Sequence, residues 1–333
     1  MSAIGDTILT LPVACALRKT FPDAHLTWVV EKKSSPVVVG HPDLNEVIVV
    51  ERGWYVKPRQ IASLRRKLKP LRVDTAIDCQ SVTKSAMACL LSGAKIRIGL
   101  TGEHGSELSP LLNNVLIDPI HSHLADRSLE LLAPLDILNP AVEWNFPVAE
   151  SDRMFVPDAL RPLGIDGPFN VINPGAGWDS RLWEMKRYSD VARHLGLEHD
   201  LPTVVIWGGS REHDWAQEIV RRSRGHAALA PRTTIGRAIA IIERATMFVS
   251  SDTGPLHMAV AVGTPSVALH GPTRPEDSGA YGPPHIAVQA RHEDGGRKQR
   301  RGADNSAMLE ITVEMVCEAC DQLRERVAKS HAA

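Results

Sequence analysis

The sequence predicts an α/β protein of two doubly wound, Rossmann-like domains facing across a cleft. Three observations carry that expectation. Short apolar β-type runs alternate with helical runs in both halves of the chain, the pattern of parallel sheets covered on both faces. The 333 residues exceed what one ordinary core takes, which makes two domains the natural expectation. In the second half, three apolar runs end in turns rich in Gly or Asp: Gly175-Ala176-Gly177, Gly208-Gly209 and Asp252-Thr253-Gly254. Ligands of open α/β sheets sit at such strand ends.

The opening Met1 to Asp6 reads as a turn, followed by a helix from Leu11 to Thr20 with Pro12 in its first turn. Strands are expected at Leu26–Val30, Val47–Val50, Thr75–Asp78 and Ile96–Leu100. Helices are expected at Gln60–Leu68, Ser81–Leu91 and His121–Leu135. The pattern ends near Glu150, and the polar, turn-rich stretch from Pro157 to Pro168 reads as a linker. The domains are placed at 1–155 and 156–333.

In the second domain, strands are expected at Phe169–Asn173, Thr203–Trp207, Thr246–Val249 and Ser266–His270. Helices are expected at Tyr188–Leu195, after Ser210, at Ile235–Ala245 and at Leu256–Val262. Residues 290–306 read as a polar loop. Met308–Val327 closes the chain as a helix, with packing back onto the first domain as one option.

Composition narrows the function classes. A net charge of −1 gives no reason to expect nucleic acid, and no apolar run approaches the ~18–20 residues of a membrane span. Basic runs such as Arg65-Arg66-Lys67 read either as solvated faces or as contacts for an anionic surface. The five cysteines are scattered, as in cytosolic proteins. Cys317-x-x-Cys320 lacks a second Cys/His pair nearby, and His121-x-His123 lacks a third ligand. No G-x-G-x-x-G, P-loop or G-x-S-x-G segment occurs. No D-x-D pair is present for a metal-borne sugar nucleotide. No cofactor and no metal are expected.

The three turns suit a nucleotide diphosphate held by helix N-termini and cationic side chains. Gly175 and Gly177 allow a close backbone approach, with Arg181 nearby as the cation. Glu212, after Gly208-Gly209, can accept from ribose hydroxyls, or serve only as a dipole partner at a helix start. Asp252 opens the third turn, where the alternative is a plain helix cap.

These residues resemble the ADP-heptose:lipopolysaccharide heptosyltransferases, glycosyltransferase family 9, over nearly the full length. The likeness rests on Ser2-Ala3-Ile4-Gly5-Asp6 through Pro12, on Phe21-Pro22-Asp23-Ala24 with Trp28-Val29-Val30-Glu31, and on His41-Pro42. It rests further on Asp78-x-Gln80 with Lys84-Ser85 and, most specifically, on Asp252-Thr253-Gly254-Pro255-Leu256-His257 with Gly263-Thr264-Pro265 and Gly271-Pro272-Thr273.

The resemblance implies a GT-B type, inverting, metal-independent glycosyltransferase that moves a heptose or related sugar from an ADP-sugar to a lipopolysaccharide-core or similar glycolipid acceptor. It implies Asp6 as general base, the alternative being a helix cap. It implies Arg181 (where the family usually has Lys), Glu212, Thr233, Asp252, Thr253, Gly254 and Leu256 in donor binding, and Lys84 in acceptor binding. His257 reads as a packed helix residue. A monomer in the cytoplasm is expected, peripheral at the inner membrane, with the basic stretch Arg59 to Lys69 as a contact for anionic head groups. The competing readings are a nucleotide-sugar-binding member without catalysis and a glycosyltransferase for another nucleotide sugar.

The family's apolar opening strand does not precede Ser2. The expectation is therefore a first domain lacking that central strand, with unpaired edges beside the gap, and a native reading frame that begins about 8–10 residues upstream, the length of one strand.

Overall fold

The computed structural model describes residues 3–332. The chain divides into two compact units, Met1–Pro147 and Val148–Ala333. Every strand pairing in both is parallel.

The first unit holds β1 (Thr27–Glu31), β2 (Glu46–Val50), β3 (Thr75–Ile77), β4 (Ile96–Leu100) and β5 (Val115–Ile117). They form two sheets, β1–β2 and β3–β4–β5. A cavity of about 790 Å³ borders both, with Thr27, Trp28 and Val29 of β1 on its lining together with Thr75, Ala76 and Ile77 of β3. Thr27 Oγ1 and Trp28 Nε1 are buried there without hydrogen-bond partners. The interrupted sheet expected from the sequence takes this form: the outer edges of β1 and β3 have no strand beside them among the described residues.

The opening differs from the expected turn. Ile4–Leu9 form a short helix, anchored where the N–H and hydroxyl of Thr7 both donate to the carbonyl of Ala3. Pro12 then occupies the first turn of the helix Leu11–Thr20 as expected, where its missing N–H costs nothing. The helix Pro58–Leu68 buries Leu64 and Leu68 beside Ile48 and Trp54 and leaves its basic residues outside.

In the second unit, β6 (Asn170–Asn173), β7 (Thr203–Val205), β8 (Ala227–Leu229), β9 (Met247–Ser251), β10 (Ser266–Leu269) and β11 (Ile286–Val288) form one sheet in the order β11-β10-β9-β6-β7-β8. All residues of β6, β9 and β10 are buried, with no alternation, as expected of strands covered on both faces. The helix Gly254–Ala261 is likewise apolar around most of its circumference and buried from Leu256 to Ala261.

Three stretches depart from the expected elements. The segment read as a linker, Pro157–Pro168, starts inside a helix, Glu150–Leu160, that tolerates Pro157 and packs in the second unit, burying Val156 and Leu160. The division between the two compact units falls after Pro147. The expected loop 290–306 contains a helical turn, Arg297–Gly302. The closing helix Val313–Ala332 places Val316, Ala319, Cys320 and Leu323 in the core of its own unit, the i, i+3, i+4, i+7 spacing of one helix face.

Candidate active site

The sheet order fixes where a ligand of the second unit meets the chain. From β6 the chain builds outward through β7 and β8; with β9 it returns to the other flank and builds outward again. The carboxyl ends of β6 and β9 therefore bound a topological switch point, the usual binding crevice of an open α/β sheet. Asn173 and Ser250 are partners in register across it. Buried Asn173 ties the two ends together, its amide donating to the carbonyl of Gly175 and to Ser250 Oγ, both at 3.0 Å.

Asp252 follows β9 directly and is 2% exposed. Arg181 Nη1 donates to its main-chain carbonyl at 2.8 Å and lies 3.2 Å from Oδ2. Thr273 Oγ1 donates to Oδ2 at 2.9 Å, and His257 Nε2 lies 3.5 Å from Oδ1. Both carboxylate oxygens thus face protein partners. Asp252 holds the Arg181 guanidinium, which also stacks 3.9 Å from the Trp178 ring centroid.

Burial alone would raise the Asp252 carboxyl. Arg181 and His257 outweigh it and hold the group well below the usual carboxylate range. Burial pushes the neighbouring His270 imidazole down to about 4, against the pull of Asp252, so this histidine is neutral near pH 7.

Thr253 is the N-cap of the helix Gly254–Ala261, and Pro255 sits in its first turn. The N–H groups of Gly254 and Leu256 belong to a turn that has no intrahelical acceptors for them, a ready site for phosphate oxygens. The Leu256 side chain is fully buried, so its part in such a site is confined to the main chain.

Glu212 stands in the first turn of the helix Ser210–Arg222, and its Oε2 accepts from the N–H of Gly208 at 2.7 Å. A Cβ on Gly175 would lie 2.6 Å from the Glu212 carboxyl, so the two turns after β6 and β7 touch only because residue 175 is glycine. Burial raises the Glu212 carboxyl above its ordinary value, with the Gly208 N–H opposing. Thr233 is half-buried just before Thr234, the N-cap of the helix Ile235–Arg244.

In the first unit, Asp6 occupies the first turn of the helix Ile4–Leu9, with Ala3 as the N-cap; it is not the cap itself. Lys84 Nζ reaches Glu31 Oε1 at 3.2 Å, joining the helix Thr83–Ser92 to the end of β1. Asp78 is a buried structural carboxylate that accepts from the N–H of Ser81 at 2.8 Å and from Asn113 Nδ2 at 3.1 Å.

Sequence reasoning did not assign Thr273, His270 or Asn173 to this site. The one available sign was Thr273 in Gly271-Pro272-Thr273. His121 pairs with Glu130 at 2.7 Å and His123 caps a helix, so that pair has local partners. The groups of metal-ligating composition among the described residues, Cys15/His41/Asp43 and His194/His199/Asp321, contain no predicted site residue.

A family model described as "Glycosyltransferase family 9 (heptosyltransferase)" matches residues 61–308. The chain belongs to glycosyltransferase family 9. It is a glycosyltransferase by that membership, and its two parallel α/β units are the GT-B class expected from the sequence.

Among family 9 relatives, the chain is 26% identical over 277 residues to lipopolysaccharide heptosyltransferase 3 of Escherichia coli K12, covering 81% of this chain and 80% of the relative. It is 26% identical over 292 residues to lipopolysaccharide heptosyltransferase 1 of Pseudomonas aeruginosa, covering 84% and 79%. In structure it resembles a family 9 glycosyltransferase from Veillonella parvula, with a TM-score of 0.83 and 22% identity over 97% of this chain and 95% of the other. It also resembles the E. coli heptosyltransferase WaaC solved with ADP, with a TM-score of 0.73 and 21% identity over 99% and 97%.

Proposed function

We propose that this family 9 enzyme transfers a heptose, or a closely related sugar, from an ADP-sugar to a lipopolysaccharide-core or similar glycolipid acceptor, with inversion and without a metal ion. The observation that carries this reading is the Arg181–Asp252 pair beside the first turn of Gly254–Ala261, a cation and a helix N-terminus at one switch point. The heptosyltransferase relatives supply the choice of sugar and acceptor.

In this reading the second unit holds the donor. The diphosphate lies against Arg181 and the N–H groups after Thr253, and the ribose hydroxyls meet Glu212. Main chain near Thr233 meets the adenine edge. Asp6 of the first unit takes the proton from an acceptor hydroxyl as that oxygen attacks the anomeric carbon. The bond to the diphosphate breaks on the opposite face, and Arg181 and the helix N-terminus meet the charge that develops on the leaving ADP. Lys84 serves the acceptor side. Asp252 acts through Arg181 as a positioning residue.

Calorimetric titration with ADP and with ADP-heptose, in the presence of a chelator, tests the donor half of this reading. Saturable binding that weakens at least tenfold in Arg181→Ala supports it. Absence of binding to either ligand by the wild-type chain removes it.

A further inference from the structure

Between Arg52 and Arg72 the chain carries eight Lys and Arg residues and no Asp or Glu, although its overall net charge is −1. All eight are exposed: Arg52, Lys57, Arg59, Arg65, Arg66, Lys67, Lys69 and Arg72. Among the described residues none of them pairs with a carboxylate. Elsewhere on the surface some exposed arginines do, as Arg153 with Glu243, Arg222 with Glu218 and Arg291 with Glu310.

Helix stability does not account for this set. Arg65, Arg66 and Lys67 lie in the last turn of Pro58–Leu68, where cations complement the helix dipole. Lys57 is its N-cap and Arg59 lies in its first turn, where positive charge opposes that dipole. Arg59 and Arg66 are two turns apart on one stripe, with the small Ala62 and Ser63 beside them. The opposite stripe, Leu64 and Leu68, is in the core. Immediately before the helix, Tyr55 and Val56 are 36% and 68% exposed.

We propose that this face of the first unit is a docking surface for an anionic lipid bilayer. The cations lie over the head groups, and Val56 and Tyr55 enter the boundary with the acyl chains. A polyanionic nucleic acid would use the same charges, but an aliphatic Val56 gains nothing from a phosphodiester backbone, whereas it gains from a lipid boundary. The proposal rests on the lipid-linked acceptor of the preceding section. It adds which face meets the membrane and by what forces.

The test is co-sedimentation of the full chain with vesicles of phosphatidylcholine alone and of phosphatidylcholine with phosphatidylglycerol, without acceptor. ADP calorimetry runs on the same preparations. The expected result is binding to the anionic vesicles only, lost near 1 M salt, where the Debye length has fallen to about 3 Å. The triple variant Arg59→Gln/Arg66→Gln/Lys67→Gln should lower partitioning roughly a hundredfold, since each cation near such a surface counts for about fivefold. Val56→Ser should lower it at each salt concentration at which the wild type still binds. Neither change should alter ADP affinity, which also reports that the variants are folded.

Equal binding to both vesicles, no binding, or an unchanged triple variant overturns the proposal. So does preference for a single-stranded oligonucleotide over the anionic vesicles, which assigns the face to nucleic acid. Failure of ADP binding with vesicle binding intact strikes the donor reading alone.

Discussion

Arg181 and Asp252 meet twice, through the guanidinium and the main-chain carbonyl at 2.8 Å and through the guanidinium and carboxylate Oδ2 at 3.2 Å. One residue comes from the turn after β6 and the other from the end of β9, so the pair closes the switch point that the strand order creates. The double contact fixes the guanidinium before any ligand arrives, and preorganised charge of this kind stabilises a leaving group effectively.

Removing one partner should be costly. Asp252→Ala leaves the Arg181 guanidinium, only 15% exposed, beside an apolar methyl group. Breaking a buried pair in this way costs about 3–5 kcal/mol. Urea unfolding should show that loss, and Arg181→Ala should show a loss as well. Thr273→Val removes one hydrogen bond to the same carboxylate and should cost about 1.5–3 kcal/mol. A Thr273→Val protein as stable as wild type would contradict the geometry.

Stability should fall as pH drops from about 6.5 towards 4. Burial first, partly opposed by Asp252, holds His270 at about 4, and burial holds His285 at about 4; burial also lowers His41. Each is neutral in the folded protein at a pH where the unfolded chain binds a proton, because free histidine titrates near 6.5. The unfolded state then carries more protons, and unfolding free energy decreases with falling pH. The slope should include nearly one proton each from His270 and His285 at pH 5. Below about pH 4 the depressed carboxyl of Asp252 extends the loss, since its folded state keeps the charge that the unfolded chain surrenders. Denaturant titrations across this range, with His285→Gln as the comparison, measure the slope; the variant should be the flatter of the two.

Gly175→Ala tests the contact between the first two turns. The new methyl would press on the Glu212 carboxyl and disturb its bond from the Gly208 N–H. Affinity for ADP should fall about tenfold, the weight of one such hydrogen bond to a charged group, while unfolding free energy changes little. Calorimetry on the purified variant gives the first number and urea unfolding the second.

Asp6→Asn separates chemistry from donor binding. Loss of a general base lowers turnover by about 10²–10⁴-fold, and ADP affinity, which the proposal assigns to the second unit, should be unchanged. Turnover within tenfold of wild type would remove Asp6 from the base role.

The alternation of apolar strands and helices made the α/β class legible, because parallel strands covered on both faces must be continuously apolar, as Met247–Ser251 is. The turn Asp252-Thr253-Gly254 was legible for a related reason: a strand feeding a helix with Pro in its first turn leaves donors exposed. Boundaries were less so. Pro157 suggested a linker, yet Glu150–Leu160 continues as a helix because burial of Val156 and Leu160 outweighs the proline. Residues 297–302 look like loop sequence, and local polarity says nothing of a single helical turn.

The sequence by itself determined the two-unit α/β architecture, the family and the choice of Arg181, Glu212 and Asp252 as candidates. These depend on periodicity and on local turn chemistry, which neighbouring residues dictate. Only the tertiary structure decided that Asp252 spends both carboxylate oxygens on Arg181, Thr273 and His257, and so positions a cation instead of facing a ligand. It alone placed Asn173 against Ser250. Those outcomes depend on strand order, which brings together residues up to 77 positions apart in the chain.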